Sequence, residues 1–303
     1  MKIKLIGQIY TIVNYLKHQI LKSNRYKLTK RVIRHIESKD CDLPEKEKNT
    51  LKKFLSKILV SQISYPFIKE YHYRIVDVFY DKTKSLHYVL HNTKKLYFKR
   101  DLSKSRIRDL YNGLCIEQDI RSPHSYFAFP ISYQSTDIVA DIGAAEGIWA
   151  LDITESVSEI YLFECEDGWI EALQATFEPW KEKVHIVQKY VADFTDENHT
   201  TLDDYFFENN IFPTIIKADI EGAEIACIKG ASGTLTQHIN HALLCTYHNV
   251  DDFTIMSDML KNLHFAVQPS EGHMISIYSE PDYGCKDITK IFRKGLIHAH
   301  KQS

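Results

Sequence analysis

The sequence predicts an α/β protein: an open, largely parallel sheet with helices on both faces, preceded by a helical region that carries a β-hairpin. Three observations predict it. From about residue 130 onward, short apolar runs alternate with segments long enough for helices, which is the signature of strand–helix repeats. A glycine-bearing loop, Asp141-Ile-Gly143-Ala-Ala-Glu-Gly147, stands where the first of those runs meets a helix. Before residue 115 the hydrophobic period differs, helical at first and then alternating. These patterns divide the 303 residues into an expected 1–115 region and a 116–303 domain.

Each element has a local cause. Leu5, Ile9, Ile12, Val13, Leu16 and Ile20 fall on one helical face, with Lys2, Lys4, Lys17 and Lys22 nearby. That amphipathic segment suits packing on the protein itself or peripheral contact with an anionic membrane face. A second stripe, from Leu51 through Phe54, Leu55, Ile58 and Leu59 to Ile63, predicts a helix beginning near Asp42-Leu-Pro44-Glu45 and ending at Pro66. IVDVFYD (75–81) and SLHYVLHN (85–92) alternate and are joined by polar residues, so they read as a hairpin, with a third short strand at 95–99. Helical spacing returns over 103–118. DIVADIG (137–143), EIYLFE (159–164), KVHIVQKYVA (183–192), PTIIKADI (213–220) and HALLCTYH (241–248) then read as buried parallel strands. Helices are expected at 147–157, 168–178 and 222–237.

Composition narrows the class. With 44% hydrophobic and 26% charged residues, the chain is neither disordered nor fibrous. No apolar run reaches the roughly 18 residues of a membrane span, and the first residues lack a cleavage-site pattern. The six scattered cysteines form no CxxC pair, so reduced thiols and a cytoplasmic location are expected, with the inner membrane face as a place of peripheral contact. A net charge of −2 conceals an asymmetry: residues 1–110 hold 26 Lys and Arg against 10 Asp and Glu, and the rest hold 12 against 30. Either the two parts attract each other, or the basic part faces an anionic partner such as an acidic glycan or lipid-linked acceptor. Nucleic acid is not expected, because aromatic and basic residues are not interleaved.

The glycine loop is the place to seek a ligand, since open α/β sheets bind beyond the carboxyl ends of their strands. Gly143 permits a tight turn, and Gly147 lets a helix start approach a ligand closely. Glu164 ends the next strand, 21 residues after Gly143, where a carboxylate accepts both hydroxyls of a ribose. Dinucleotide enzymes favour GxGxxG, whereas this loop is DxGxxxG. That form resembles motif I of S-adenosylmethionine-dependent methyltransferases.

Downstream residues make the resemblance narrower. IYLFECE (160–166), TTLDDYF (200–206), IIKADIEGAEIACIKGA (215–231) and CTYHNVDD (245–252) are similar, in order, to signature elements of the FkbM family of methyltransferases. The chain differs from the common family pattern at Ala145 and Cys165. The resemblance implies a Rossmann-like class I methyltransferase sheet of seven strands with the last antiparallel, and HFAVQPS and MISIYSE are the candidates for the final pair. It further implies S-adenosylmethionine as cofactor. Asp141, Gly143, Ala144 and Gly147 would line its methionine part, Glu164 would hold the ribose, and Ala192 and Asp193 would flank the adenine.

Methyl transfer to a hydroxyl needs a base or a metal near the acceptor. Asp219 and Glu221 follow the fourth strand and His248 the fifth, and His248 is the preferred base because imidazole titrates near neutrality. Lys217, Asp219 and Glu221 share one face of an extended chain, which favours a Lys217–acid pair, and Glu224 can join the cluster. Mg²⁺ or Mn²⁺ held by Asp219, Glu221 and His248 is the alternative. SPHSYF (122–127) precedes the first strand and offers His124 and Tyr126 to the same site. His298 and His300 form HxH without a third ligand nearby in sequence, so no metal is assigned to them. The expected activity is O-methylation of a saccharide or glycosylated metabolite. A catalytically inactive nucleotide-binding scaffold and a nicotinamide-dependent oxidoreductase are the rivals, and the sequence leaves the oligomeric state unassigned.

Overall fold

A computed structural model describes residues 23–277 and 287–301. The expected N-terminal stripe from Leu5 to Ile20, Cys285 and the end of MISIYSE lie outside those residues. In chain order the helices and strands are α1 (23–36), α2 (Glu45–Leu55), β1 (Phe79–Asp81), β2 (Leu86–His91), β3 (Lys94–Tyr97) and α3 (Lys104–Glu117). Then come β4 (Ile138–Ile142), α4 (Ile148–Ile153), β5 (Glu159–Phe163), α5 (Asp167–Phe177), β6 (Val184–Val187), β7 (Tyr190–Val191), β8 (His199–Thr200) and α6 (Leu202–Glu208). The last third holds β9 (Ile215–Ala218), α7 (Glu224–Lys229), α8 (Ser232–Gln237), β10 (His241–Cys245), α9 (Asp252–Asn262), β11 (Phe265–Pro269), β12 (Met274–Ile275), β13 (Phe292–Arg293) and β14 (Leu296–Lys301).

Seven strands form one sheet in the order β11-β14-β10-β9-β4-β5-β6. β9, β4, β5, β6 and β10 run parallel, while β14 is antiparallel to both β10 and β11. The expected Rossmann-like class I methyltransferase sheet is therefore present. Alternate residues feed opposite layers, as pleating requires: Val139, Ile160 and Leu162 pack with Trp149 and Leu173, and Ala140, Tyr161 and Phe163 pack with Phe206, Leu235 and Met256.

The final strand is a correction. β11 falls within HFAVQPS as expected, but its partner is Leu296–Lys301 rather than MISIYSE. Met274 and Ile275 instead pair with Phe292 and Arg293 in a small hairpin. That hairpin lies in an excursion, Gly272–Arg293, which forms a compact unit with Met1–Ile68. Its core joins Leu28, Val32, Leu51 and Leu55 to Ile275 and Ile291, and Tyr65 donates to the His273 carbonyl at 3.0 Å.

The second compact unit is Lys69–Glu271 with Lys294–Ser303, and it holds both the hairpin of the basic region and the large sheet. The cause is packing. Leu86 and Tyr97 bury against Ala172 and Ala175 of α5, Tyr97 N–H donates to Thr176 Oγ1 at 3.0 Å, and Ile107 of α3 is fully buried in the sheet core. Four of the basic side chains are paired with acids of the sheet domain: Lys84 with Glu178, Lys94 with Glu155, Lys99 with Glu166 and Arg100 with Glu171.

Two helices are shorter than their hydrophobic periods suggest. α2 stops at Leu55 because side chains capture the following backbone: Val60 N–H donates to Thr29 Oγ1 at 3.0 Å, and Ser61 N–H to Ser64 Oγ at 2.9 Å. Pro66 then opens a 3₁₀ turn. The expected 222–237 helix breaks into α7 and α8 at Gly230, where a Cβ would stand 2.2 Å from the Ala192 carbonyl oxygen.

Candidate active site

The loop after β4 is shaped by three residues with positive φ: Gly143 (72°), Ala145 (47°) and Gly147 (79°). Gly143 is required because a Cβ would meet the Asp219 carbonyl oxygen at 2.0 Å. At Gly147 a Cβ would press on Leu173 and Phe177, so this glycine serves the packing of α4 on α5 rather than the approach of a ligand. The N–H groups of Gly143 and Ala144 donate to the Phe163 carbonyl at 2.9 and 3.1 Å, which ties the loop to the end of β5.

Glu164, at that end, is 8% exposed. Its Oε2 accepts the Ala145 N–H at 2.9 Å, and its Oε1 accepts those of Cys165 and Glu166 at 2.7 and 2.9 Å. Three amides hold the carboxylate in one orientation. A carboxylate has about four lone-pair sites, so capacity remains on Oε2 for a ligand hydroxyl. Beside it, Tyr190 is exposed and its phenol is hydrogen-bonded to Cys165.

Asp141 and Lys217 are register partners on β4 and β9 and form a buried ion pair, Nζ–Oδ1 2.8 Å. Lys217 Nζ also donates to the Gly143 carbonyl at 2.9 Å. Burial raises the Asp141 pKa and Lys217 opposes that effect; burial would depress Lys217, but Asp141 and Asp219 outweigh it and raise Lys217. The acid expected to pair with Lys217 is thus Asp141 on the neighbouring strand, not Asp219 or Glu221. β9 ends at Ala218, and Glu221 takes φ 53° with its side chain 92% exposed, so the shared extended face does not persist.

Asp219 is the hub of the cluster. Tyr126 donates to its Oδ2 at 2.9 Å, and His124 Nε2 lies 3.4 Å from the same oxygen. Tyr247 and His248 approach Oδ1 at 3.5 Å. Burial alone would raise its pKa, but His124, Lys217 and His248 overcome that and hold it well below the usual carboxylate range. His248 Nδ1 is 2.9 Å from Glu224 Oε1, and Nε2 is 3.5 Å from both Asp219 and Glu221. Glu224 is 1% exposed and also accepts the Ile220 N–H at 2.9 Å. Burial lowers the His248 pKa, the Glu224 hydrogen bond and charge raise it, and the net direction is upward.

A cavity of about 100 Å³ opens at the ends of β4 and β9, and Asp141, Gly143, Ala144, Lys217 and Asp219 are among its lining residues. Ala192 instead packs against Gly230, and Asp193 is exposed after β7. Two further lining acids escaped the sequence reading. Glu117 comes from α3, and Glu146 from the glycine loop itself, where burial pushes its pKa to about 7. Glu146 was legible as an acid within DIGAAEG, whereas nothing in the local pattern of α3 marks Glu117.

The family model of the Methyltransferase FkbM domain matches residues 171–267, which include Asp219, Glu221, Glu224 and His248. Over that third of its length the chain matches an FkbM methyltransferase domain. Among solved structures, Methyltransferase FkbM from Methylobacillus flagellatus KT is 15% identical over 65% of this chain and 53% of its own, with a TM-score of 0.47. This chain therefore spans about half the length of that FkbM protein. Precorrin-6y C5,15-methyltransferase from Geobacter metallireducens GS-15 is 12% identical over 56% of this chain and 82% of its own, TM-score 0.39. TrmK of M. capricolum, in complex with S-adenosyl-homocysteine, is 10% identical over 56% and 64%, TM-score 0.36. No curated protein matches the chain.

Proposed function

We propose that the FkbM domain binds S-adenosylmethionine in this cleft and methylates a hydroxyl of an acceptor, a saccharide being the expected class. The charge of the cleft carries the reading. Glu117, Asp141, Glu146 and Asp219 line it, against one lysine that is already paired with Asp141. Such a lining favours a sulfonium cation over the pyrophosphate of a dinucleotide. Glu164 would hold the ribose through Oε2, Tyr190 would offer its ring to the adenine, and Asp141, Gly143 and Ala144 would lie along the methionine part. Bound there, the cofactor would supply an electrophilic methyl group.

His248 is the proposed base. Glu224 would keep Nδ1 protonated and leave Nε2, 3.5 Å from both Glu221 and the cleft-lining Asp219, as the proton-accepting atom. Asp219 anchors Tyr126 and the two histidines. A divalent ion is the second reading, since donor atoms of Asp219, Glu224 and His248 lie within 4.8 Å of one another. Their existing commitments, Glu224 to His248 and Asp219 to Tyr126, count against it. Among the described residues no helix is long and apolar enough to cross a membrane. We place the protein in the cytoplasm, with peripheral membrane contact through the N-terminal stripe as a proposal.

Titration calorimetry with S-adenosylmethionine and NAD tests the assignment. Micromolar binding of the first and none of the second is expected, and Glu164→Ala should cost about 1–3 kcal/mol of affinity, roughly 5- to 150-fold. Binding of NAD alone, or unchanged affinity in the variant, would refute it. Activity that is lost with a chelator and restored by Mg²⁺ would favour the metal.

A further inference from the structure

A groove of about 500 Å³ is lined by other residues of α3 than those that line the cleft. Leu114, Glu117 and Gln118 face the cleft, whereas Tyr111, Asn112 and Cys115 face the groove. β1, β2 and the turns after Glu70 supply its other walls.

Two features mark it as a binding site. The first is charge. The groove sits in the basic part of the chain, yet among the described residues no lysine or arginine lines it, while Glu70 and Asp77 do. Neighbouring arginines are engaged: Arg121 grips Glu70 through two contacts of 2.8 Å and also binds Asp119, and Arg108 Nε donates to the Val76 carbonyl at 2.9 Å. The second is a polar relay reaching in from α4. Asp152 contacts His91 Nε2 at 2.9 and 3.0 Å, which assigns the ring proton to Nε2. His91 Nδ1 then accepts from the Tyr111 hydroxyl at 3.0 Å. Tyr111 is hydrogen-bonded to Cys115 as well, so the groove meets its hydroxyl held between the imidazole and the thiol.

We propose that this groove is a second ligand site, for an uncharged or cationic molecule rich in O–H and N–H donors and bearing an apolar face, of which an amino sugar is the type. Tyr111, Asp77 and Asn112 supply the polar contacts, and Phe79, Ile75 and Leu90, all exposed, supply the apolar wall. Asp77 disfavours anions, while the Glu70 charge is already met by Arg121. Burial keeps the Tyr111 phenol and the Cys115 thiol protonated, so the groove binds without supplying a nucleophile. The inference stands apart from the methyl-transfer reading, because none of these side chains lines the cleft.

Saturation-transfer NMR on the full chain tests it, with glucosamine, glucose and glucuronate as probes. Glucosamine should bind with millimolar affinity and glucuronate at least tenfold more weakly. Asp77→Asn and Tyr111→Phe should each weaken glucosamine about tenfold, and both should fold, since Asp77 is exposed and Phe keeps the ring. Saturating S-adenosylmethionine should leave the signal unchanged. No glucosamine binding by folded protein, equal binding of glucuronate, unaffected variants, or displacement by S-adenosylmethionine would each overturn the proposal.

Discussion

Replacing Glu224 by Gln isolates what orients and charges His248. The substitution keeps an oxygen for the Ile220 N–H but removes the carboxylate 2.9 Å from Nδ1. Both side chains are shielded, at 1% and 9% exposure, so solvent screening does little to weaken the pair. A hydrogen bond to a charged group contributes about 1.5–3 kcal/mol, and one pH unit corresponds to about 1.36 kcal/mol. Loss of that interaction should shift the ratio of imidazolium to imidazole at fixed pH roughly 10- to 150-fold toward imidazole. The sign follows from the structure: Glu224 raises the His248 pKa, so its removal lowers the pH at which the ring gives up its proton. Nitrogen-15 NMR of the histidine rings reads this without any acceptor. In the wild type the neutral ring should carry its proton on Nδ1. A midpoint unmoved in the variant, or a wild-type proton on Nε2, would refute the reasoning. If His248 is the base, the acid limb of kcat/KM should move to lower pH by the same interval.

Other perturbations probe the frame around the site. Lys217→Met strands Asp141 as a buried charge and should destabilise the fold by about 3–5 kcal/mol in urea denaturation, whereas adding Asp141→Leu should recover most of the loss. Two glycine substitutions should act with opposite sign: Gly143→Ala strains a positive φ and overlaps a carbonyl, whereas Gly113→Ala in α3 meets nothing within 4 Å and should stabilise by about 0.5–1 kcal/mol in the same assay. His298 is held at about 4 by burial and by His241 and His300, below its unfolded value. The neutral ring therefore stabilises the fold above about pH 6.5, and that stability drains as pH falls toward 4; denaturation midpoints across this range should flatten in His298→Gln.

The order of strands and the loop that carries the cleft were legible because each strand is a nearly unbroken apolar run ending at a loop. Glu164 was readable for the same reason: it sits one residue past a five-residue strand, where a side chain must face the sheet's edge. The misread elements share a physical cause, which is distance along the chain. MISIYSE has strand chemistry, but Ile275 finds its burial with residues of α1 and α2, more than two hundred positions earlier. α2 ends through a threonine hydroxyl donated from α1. Asp141 pairs with Lys217 across a register that only parallel strand pairing creates. His241 joins His298 at 3.0 Å across the antiparallel β10–β14 pair, although the two are 57 residues apart. Local pattern carries period and punctuation, and it cannot carry partners.

The division of labour among the carboxylates follows from those partners rather than from residue type. A general base must be able to bind a proton near the working pH. Asp219 cannot, because His124, Lys217 and His248 hold it ionised far below neutrality. Glu164 is committed to three amides, Asp141 to Lys217 and Glu224 to His248. Glu221 points to solvent. Three groups at the site are left with a raised pKa: His248, Glu117, which burial raises, and Glu146, which burial has brought to about 7. Glu146 lines the cleft on the glycine loop, and His248 follows β10 and approaches the cleft's lining at Asp219. His248→Ala should therefore slow turnover about 10²–10⁴-fold with cofactor affinity intact. If it does not, the role passes to Glu146, and a Glu146→Gln variant would show the loss that His248→Ala did not.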